Sequence, residues 1–279
     1  MSPPMNLSAG SNGSNAPIWT QTPINTAEPS IARVYDAVLD GKDNFAVDRE
    51  IARKFLQIPG ANQMPWDNRA WLERVTRWLV GEGGIRQIID LGSGLPTTSS
   101  IHEFAREVAD DVRVAYVDND PIVLAHGRAL LAVDDNTTVI TGDVCDDESI
   151  FANPELRGLI DLNEPFAVIV ASVLHHLPDG EDQRIAAALR ERLGPGCYLA
   201  FANFHDPGDP RAREIENALV EGGLGSGWMR PYPQHRMYFG DLDLVAPGLC
   251  PVNEWRPDDA TRTDSPVHHL YIGGVGKRT

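Results

Sequence analysis

Between residues 85 and 204 the sequence alternates short apolar runs with segments of helical periodicity. Such apolar runs predict strands that are buried on both faces, and the helical segments supply the crossovers that parallel strands need. The alternation therefore predicts an α/β fold with a doubly wound parallel sheet. The five strands that we predict are Gln87–Leu91, Val112–Val117, Thr137–Thr141, Phe166–Ser172 and Cys197–Phe204.

Helical patterns separate most of these strands, over Thr98–Val108, Pro121–Ala132 and Glu181–Leu193. The last third of the chain differs, because a proline-rich connection without an evident crossover helix divides the strand-like segments Leu242–Val245 and His269–Gly273. Two strands joined in that way pair most simply in the antiparallel sense. We therefore expect an antiparallel pair at one edge of the sheet.

The N-terminal part of the chain divides into a tail and a helical layer. Residues 1–28 are rich in Ser, Asn, Pro and Gly and lack apolar periodicity, so we expect a flexible tail. A first helical pattern follows Ser30, a suitable N-cap, and two more cover Val47–Leu56 and Asp67–Val80. We expect residues 29–84 to form an N-terminal helical cap on a larger domain of residues 85–279.

The segment Asp90-Leu91-Gly92-Ser93-Gly94 joins the first predicted strand to the next helix. Glycine lets the backbone approach a ligand closely, and this turn lies at the carboxyl end of a strand, where open α/β sheets bind ligands. A Gly-x-Gly turn alone is equally consistent with a tight strand-to-helix connection that binds nothing. Other residues must decide between these two interpretations.

Two more acidic residues follow the next two strands. Asp118 lies 24 residues after Gly94, near the spacing at which dinucleotide-binding folds place the acid that contacts ribose hydroxyls. Asp143 follows the third strand within Gly142-Asp143-Val144, where its carboxylate could accept a hydrogen from a purine amino group. Each acid alone is most simply a solvated loop residue. The three together, at successive strand ends, indicate one nucleoside-binding crevice.

The charge pattern selects among nucleoside ligands. Nicotinamide and flavin dinucleotides favour Gly-x-Gly-x-x-Gly, because their pyrophosphate lies on the helix N-terminus. Here Thr97 occupies the third glycine position, and the Asp90 carboxylate before the turn would repel a pyrophosphate but attract a cation. S-adenosylmethionine carries a sulfonium and an ammonium group and no phosphate, so it is the cofactor that we predict.

At these residues the sequence resembles the class I S-adenosylmethionine-dependent methyltransferase superfamily. Asp90–Gly94 is similar to its first motif, Asp118 to its ribose-binding acid, and Gly142–Val144 to its adenine-contacting segment. More narrowly, from Pro29 to the C-terminus the chain resembles a bacterial family known only as S-adenosyl methyltransferases, formerly a domain of unknown function. The segments that carry this likeness are Ala32–Asp36, Gly41–Arg49, Tyr116–Pro121, Val173–His175 and Gly273–Lys277.

The resemblance implies a Rossmann-like sheet of seven strands with an antiparallel last strand. Two segments depart from the family pattern: His176 stands where we expect an apolar residue, and Gly225–Trp228 differs from the expected charged lead-in to a helix. Both departures lie where an acceptor would be chosen, so an acceptor preference is not transferable. The residues that we expect around the cofactor are Asp90, Gly92, Ser93, Gly94, Asp118, Asn119, Asp143, Val144, Ser172, Asn44 and Phe45.

Methyl transfer from a sulfonium is an in-line displacement that depends on alignment and exclusion of water more than on a dedicated base. If the acceptor must lose a proton, His175 after the fourth strand is the first candidate for the base. The alternative is that His175 packs against the cofactor or caps its loop. We expect no metal at His175-His176 or His268-His269, because adjacent side chains of an extended segment point to opposite sides.

The link Asp43-Asn44-Phe45 between the first two helices has two possible roles. It could fold over the cofactor, with Phe45 shielding the sulfonium, or it could be an inter-helix turn in which Phe45 anchors the second helix to the core. Four aromatic residues are candidates for an acceptor pocket, although aromatic residues at helical spacing more often belong to the core. They are Tyr35, Trp228, Tyr232 and Tyr238.

The composition of the chain limits the kinds of partner that we expect it to bind. The chain has 24 Lys and Arg against 40 Asp and Glu, a net charge of −16, and no basic run, which disfavours a nucleic-acid partner. The longest apolar run, Ala167–Ala171, is far too short to span a membrane, and the N-terminus lacks the order of a signal peptide. Cys145, Cys197 and Cys250 are odd in number and widely spaced, which predicts free thiols. We therefore expect a soluble, cytoplasmic protein without a membrane partner or a metal.

These observations favour an S-adenosylmethionine-dependent methyltransferase that acts on a small-molecule acceptor. A non-catalytic S-adenosylmethionine-binding regulatory protein is one alternative, because no single residue is indispensable for methyl transfer. An NAD(P)-dependent oxidoreductase with a related open sheet is the other, and Thr97 counts against it.

Overall fold

A computed structural model describes residues 24–96, 100–131, 134–262 and 264–279. The described part is built around an eight-stranded mixed sheet in the order β3-β2-β1-β4-β5-β8-β6, with the short strand β7 also paired to β8. The strands are β1 (Gln87–Leu91), β2 (Arg113–Asp118), β3 (Thr137–Thr141), β4 (Ala167–Ala171), β5 (Tyr198–Phe204), β6 (Asp243–Leu244), β7 (Cys250–Pro251) and β8 (Tyr271–Lys277).

The first five strands are parallel, which confirms the doubly wound sheet and each of the five predicted strands to within about one residue at either end. β8 runs antiparallel to β5, and β6 pairs with β8 through Leu244 and Gly276. The expected antiparallel pair is thus confirmed, as is the reversed last strand. The family resemblance implied seven strands, and the sheet has eight because β7 adds a two-residue edge.

β8 extends to Lys277, whereas the sequence predicted that it ends at Gly273. Glycine weakens a strand, so the run Gly273-Gly274-Val275-Gly276 looked like a strand end. These glycines lie inside the strand because side chains of neighbouring elements approach its backbone closely. A Cβ at Gly273 would lie 2.9 Å from Cε2 of Trp71, and one at Gly276 would lie 2.8 Å from Cδ1 of Phe239.

Ten α-helices cover the described part of the sheet. They are α1 (Ile31–Val38), α2 (Ala46–Phe55), α3 (Gln63–Gly81), α4 (Ile101–Arg106), α5 (Pro121–Leu130), α6 (Asp147–Ala152), α7 (Pro154–Leu159), α8 (Glu181–Glu191), α9 (Pro210–Leu219) and α10 (Tyr232–Phe239). A π-helical turn, Val220–Leu224, extends α9.

The sequence patterns located α1, α2, α3, α4, α5 and α8 and missed α6, α7, α9 and α10. Three of the missed helices carry N-cap signals: Asp146, Asn153 and Asp209 each accept a hydrogen bond from a backbone N–H of the first turn. α6 and α7 have six residues each, too few for a clear helical period. The start of the predicted helix Thr98–Val108 and Ala132 at the end of another lie outside the described residues.

The helical cap shares one core with the sheet. Ile51, Phe55 and Trp71 belong to the same cluster of buried side chains as Ile88 and Val114 of β1 and β2. The opposite face of the sheet packs on α6, α7, α8 and α10 through a second cluster. The boundary that we predict at residue 84 stays a prediction. Of the predicted tail, residues 1–23 lie outside the described residues, and residues 24–28 are exposed.

A buried carboxylate organises the cap. Asp48 in the first turn of α2 is fully buried and accepts hydrogen bonds from three groups: the backbone N–H of Ser30 at 3.0 Å, Nε of Arg33 at 2.8 Å and the backbone N–H of Phe45 at 2.8 Å. The start of α1 and the start of α2 are therefore joined through one side chain, with the Arg33 charge paired to it.

The three cysteines are free, as the sequence predicted. Within the described ranges no helix is both long and apolar enough to cross a bilayer. The same part of the chain holds no group of three or more His, Cys, Asp or Glu side chains that could bind a metal ion.

The close packing on β8 gives a first testable prediction. Gly273→Ala should destabilise the protein by about 1–3 kcal/mol, because the added methyl must displace the buried Trp71 ring or the Phe201 carbonyl. Urea unfolding followed by tryptophan fluorescence measures the change. Gly158→Ala is the matched control: its Cβ would meet no described atom within 4 Å outside the backbone of its own helix, and alanine favours a helix such as α7. Equal stabilities for the two variants would contradict this account of the β8 glycines.

Candidate functional site

A cavity of about 590 Å³ lies at the carboxyl ends of β1, β2, β3 and β4. Parallel strands of an open sheet bring their carboxyl ends to the same edge, and ligands bind at that edge. The cap forms the opposite wall, with Ser30, Tyr35, Asn68 and Arg69 among its residues. The cavity volume lies within the range of about 300–1,000 Å³ that is usual for small-molecule sites.

The turn after β1 is shaped by two glycines with positive φ, Gly92 at 73° and Gly94 at 66°. A Cβ at Gly92 would lie 2.4 Å from Cγ2 of Val173, so the close approach of the loop after β4 requires glycine there. At Gly94 a Cβ would meet no described atom within 4 Å, so this backbone faces the open cavity. The Gly94 N–H donates to Oδ2 of Asp118 at 2.9 Å, which ties the turn to the end of β2.

Asp118 is positioned by backbone donors on both oxygens. Oδ1 accepts from the backbone N–H of Asp120 at 2.9 Å, while Oδ2 accepts from Gly94. Each carboxylate oxygen has two lone pairs, so both retain capacity for a ligand hydroxyl. Burial raises the pKa of Asp118 above its ordinary value, and the hydrogen bonds oppose that rise.

Asp143 follows β3 at the far side of the cavity. Its Oδ1 accepts from the backbone N–H of Cys145 at 2.9 Å, which fixes the loop in an Asx turn. Gly142 donates its N–H to the carbonyl of Asp118 at 3.0 Å, and a Cβ at Gly142 would lie 2.7 Å from Val117. The third strand end is thereby held directly against the second.

Asp90 is a second buried carboxylate at this site. It is 7% exposed and lines the cavity, yet no described residue donates a hydrogen bond to its carboxylate. Burial raises its pKa to about 7, the negative charge of Asp118 adds to this, and the positive charge of Arg69 opposes it. The arrangement is unfavourable for an anionic ligand and favourable for a cation that donates a hydrogen bond to this carboxylate.

The structure brings nine of the predicted cofactor residues together around this one cavity. They are Asp90, Gly92, Ser93, Gly94, Asp118, Asn119, Asp143, Val144 and Ser172. Thr97 lies outside the described residues. Sequence reasoning named Tyr35 of the cap but missed Ser30, Asn68 and Arg69, because no motif marks them and only the packing of α1 and α3 places them there.

Asn44 and Phe45 do not line the cavity, and they form the inter-helix turn that was the alternative interpretation. Nδ2 of Asn44 donates to Oδ2 of Asp36 at 2.8 Å, inside a loop that wraps around this buried carboxylate. The Phe45 ring packs beside Leu95 and Ile122 with the Arg33 guanidinium 5.2 Å from its centroid. Their predicted contact with the cofactor has no support from these positions.

His175 does not line this cavity, although it lines a smaller adjoining one that is described below. It is 1% exposed, its ring stacks on Phe204 with centroids 3.9 Å apart, and Nδ1 accepts from the Phe204 N–H at 3.3 Å. Burial lowers the pKa of His175 well below its ordinary value. The ring therefore packs against Phe204 and not against the main cavity, and the role of His175 as a base stays a prediction.

His176 reaches the cavity instead. Leu174–His176 is a 3₁₀ turn, not the extended segment that we assumed, so the two rings lie side by side with centroids 4.4 Å apart. Nδ1 of His176 is 2.9 Å from Oγ of Ser226, and burial lowers the pKa of His176 to about 3. The two departures from the family pattern, His176 and Gly225–Trp228, thus meet in space.

A second cavity of about 40 Å³ adjoins the first, and we call it the apolar arm. Ile31, Tyr35, Ser172, His176 and Leu224 line both spaces. Of the four aromatic candidates for an acceptor pocket, Tyr35 lines both cavities, whereas Trp228, Tyr232 and Tyr238 line neither.

Comparison with known protein families identifies the family to which the chain belongs. The sequence profile of the S-adenosyl methyltransferases matches residues 17–279. The chain belongs to this family. The cofactor of the family is S-adenosylmethionine, so the predicted family, fold class and cofactor are confirmed. The match does not favour an NAD(P)-dependent oxidoreductase.

Solved structures agree with this membership of the methyltransferase family. The chain is 43% identical to a "putative methyltransferase" from Thermobifida fusca, with a TM-score of 0.88 over 94% of this chain and 99% of that one. It is 33% identical to a DUF574 family protein from Streptomyces avermitilis, with a TM-score of 0.86 over 92% and 100%.

A more distant likeness shows the shared fold alone. The N-methyltransferase NodS from Bradyrhizobium japonicum, in complex with S-adenosylhomocysteine, is 14% identical, with a TM-score of 0.50 over 88% of this chain and 98% of that one. Comparison with curated proteins finds no match for this chain.

The buried Asp90 carboxylate gives a prediction for stability. Its folded pKa of about 7 lies above the unfolded value, so the unfolded chain releases this proton first as pH rises. Asp90 therefore costs stability progressively between about pH 4 and pH 7, and fully above pH 7. Asp90→Asn should raise the unfolding free energy of the ligand-free protein at pH 8 by about 2–4 kcal/mol and change it little at pH 4.

Thermal unfolding at both pH values measures this effect of Asp90. The control is Asp110→Asn, a change at an exposed residue outside the cavity, which should leave both melting temperatures unchanged. A lower melting temperature for Asp90→Asn at pH 8 would show that the carboxylate is stabilised by the fold rather than strained by it.

Proposed function

We propose that the protein transfers a methyl group from S-adenosylmethionine to a small-molecule acceptor. One observation carries the proposal: acids at three neighbouring strand ends line one cavity, and one of them, Asp90, is a buried carboxylate to which no described residue donates a hydrogen bond. A phosphate-free, cationic nucleoside is complementary to that set of groups. Bound S-adenosylmethionine supplies an activated methyl carbon with a neutral thioether as leaving group.

The proposed roles follow the order of the strands. Asp118, already oriented by the N–H groups of Gly94 and Asp120, accepts the two ribose hydroxyls. Asp143 accepts from the adenine amino group at the end of β3. Asp90 lies on the side of Arg69 and the cap, where it attracts the cationic end of the cofactor.

The chain contributes to rate mainly by alignment and by exclusion of water. In-line displacement at an activated carbon needs the acceptor held close to the methyl group, with little further chemistry. The cap supplies the enclosing wall, and α1 is held to the cofactor side because Oγ of Ser30 hydrogen bonds to Oδ2 of Asp120.

We infer a small acceptor from the volume of the cavity and the net charge of the chain. The cavity has to hold both cofactor and acceptor within about 590 Å³, and the net charge of −16 disfavours polyanionic substrates. A cytoplasmic location stays a prediction. A protein that binds the cofactor without turnover is the competing proposal, and measurement of transferred label separates the two.

The first test of this function is binding. Isothermal titration with S-adenosylmethionine and S-adenosylhomocysteine should give saturable heat for the wild type. Asp118→Asn should weaken both ligands at least tenfold, because the amide replaces one acceptor oxygen by a donor. Asp110→Asn is the control, since this exposed side chain lies outside the cavity. Absence of binding at millimolar ligand would refute the proposed function.

The pH dependence of binding gives a second test. Below about pH 7 Asp90 is protonated in the free protein, so a cation must displace that proton. Affinity for S-adenosylmethionine should therefore rise by up to about tenfold per pH unit between pH 5.5 and 7 and level off above. Adenosine, which carries no cation, should bind with little pH dependence, and Asp90→Asn should abolish the pH slope for S-adenosylmethionine. An identical pH slope for adenosine and S-adenosylmethionine would exclude this role of Asp90.

A further inference from the structure

The apolar arm and its junction with the large cavity define what kind of acceptor fits. The described residues that line the arm carry no Asp, Glu, Lys or Arg side chain. Its walls include Val34, Phe55, Phe204 and Tyr271, and its volume of about 40 Å³ admits only a few heavy atoms. A charged group placed there would lose its hydration without a partner, which costs several kcal/mol.

Most hydroxyl groups at the junction are already used by the protein. The Tyr35 hydroxyl donates to the Pro65 carbonyl at 3.1 Å and accepts from Nδ2 of Asn68 at 3.1 Å. Oγ of Ser172 accepts from the same amide at 3.0 Å and hydrogen bonds to the Tyr271 hydroxyl. These groups form a closed set that holds the cap, the end of β4 and β8 together.

His176 differs from them because one of its ring nitrogens remains available. Nδ1 is paired with Ser226, whereas no described residue hydrogen bonds to Nε2. The ring is half-buried and lines both the large cavity and the arm. Nε2 is therefore a polar atom at the boundary between the cofactor space and an apolar space.

The loop that carries Ser226 is built to hold this position. It follows the π-helical turn, and three glycines with positive φ shape the turn and the loop: Gly223 in the turn, and Gly225 and Gly227 in the loop. A Cβ at Gly227 would lie 2.8 Å from Cδ1 of Leu219, so glycine permits the loop to close onto α9. Nζ of Lys54 donates to the Gly222 carbonyl at 2.8 Å and ties the turn to α2 of the cap.

We propose that the methyl acceptor is an uncharged, mainly apolar aromatic hydroxyl compound, with part of its apolar skeleton in the arm and its hydroxyl bound to Nε2 of His176. Ser226 is the positioning residue that fixes the imidazole. This inference rests on the methyltransferase function proposed above.

The chemistry follows from the hydrogen bond at Nδ1. When Nδ1 carries the proton and donates it to Oγ of Ser226, Nε2 is left with a free lone pair. The acceptor oxygen forms its bond to the methyl carbon while the carbon–sulfur bond breaks, and that electron pair stays on sulfur as a neutral thioether. The hydroxyl proton passes to Nε2 of His176 and from there to water.

Aromatic hydroxyls suit this imidazole better than aliphatic ones. Burial lowers the pKa of His176 to about 3, so the ring is neutral at pH 7 but a weak base. A phenol is far more acidic than an alcohol, so less base strength is needed to remove its proton. The rings of Tyr35, Phe204 and Tyr271 around the arm offer edge-to-face contacts to an aromatic skeleton.

The test begins with protein saturated with S-adenosylhomocysteine, whose binding is measured first. Failure at that stage concerns the cofactor site and not the acceptor. The loaded protein is then titrated at pH 7.5 with 4-ethylphenol, 4-ethylbenzoate and 4-ethylanisole, which share a skeleton and differ in charge and in the hydroxyl. We expect 4-ethylphenol to bind at least tenfold more tightly than either of the others. We also expect it to accept labelled methyl from S-adenosylmethionine.

Three variants locate the acceptor. His176→Asn should weaken 4-ethylphenol at least tenfold and leave affinity for S-adenosylhomocysteine within about threefold of the wild type. Leu224→Phe, which fills the mouth of the arm, should weaken the phenol by a similar factor. His268→Asn is the matched control, because His268 is also half-buried but lines neither cavity.

The positioning role of Ser226 is tested by measurements that would not change if the residue were purely structural. Ser226→Ala should lower methyl transfer to 4-ethylphenol at least fivefold and change the tautomer of His176 in ¹⁵N NMR spectra, and Ser226→Thr should restore both.

The proposal is overturned if the loaded protein fails to bind 4-ethylphenol, or if 4-ethylbenzoate binds as tightly. It is equally overturned if His176→Asn keeps the affinity of the wild type for the phenol, or if bound phenol accepts no label.

Discussion

The site depends on one constraint: parallel strands that are buried on both faces end at the same edge of the sheet. β1, β2 and β3 are neighbours in the sheet, so the acids at their carboxyl ends, Asp90, Asp118 and Asp143, line the same cavity. The backbone completes the arrangement, because Gly94 donates to the Asp118 carboxylate and Gly142 to the Asp118 carbonyl. The electrostatic cost falls on Asp90, which loses water near the carboxylate of Asp118 and receives no hydrogen bond from the described part of the chain. In this fold the electrostatic strain lies where a cationic ligand would relieve it.

A second buried carboxylate explains why the site is closed. Asp48 joins the starts of α1 and α2, and Arg33 neutralises it inside the protein. With α1 held in this way, Ser30 contacts Asp120 and Tyr35 reaches the end of β4. The segments Ala32–Asp36 and Gly41–Arg49 carry the family likeness in the sequence. In the structure they build this cap, and they act on the cofactor space through α1 rather than through Asn44 or Phe45.

Sequence periodicity predicted the parts of the fold that repeat. Five parallel strands and the longer helices follow from apolar spacing, since each spacing has a fixed geometric meaning. The short helices α6 and α7 were not predicted, because six residues are too few to show a helical period. The glycines of β8 were misinterpreted as a strand end, because the reason for them is the Trp71 ring and Phe239 on elements distant in sequence. The sequence pointed to His175 as the histidine at the cavity, whereas the structure places His176 there. The prediction assumed an extended segment, and the structure has a 3₁₀ turn.

The sequence by itself determined the order of strands and turns, the acids at three strand ends and hence the chemistry of the cofactor. Those properties are local, because a residue that ends a parallel strand has its position set by the strand. Only the tertiary structure decided which cap residues close the cavity, that His176 rather than His175 faces it, and that Ser226 is the partner of His176. Contacts between residues 50 positions apart depend on how helices pack and loops close. No spacing within the chain encodes that geometry.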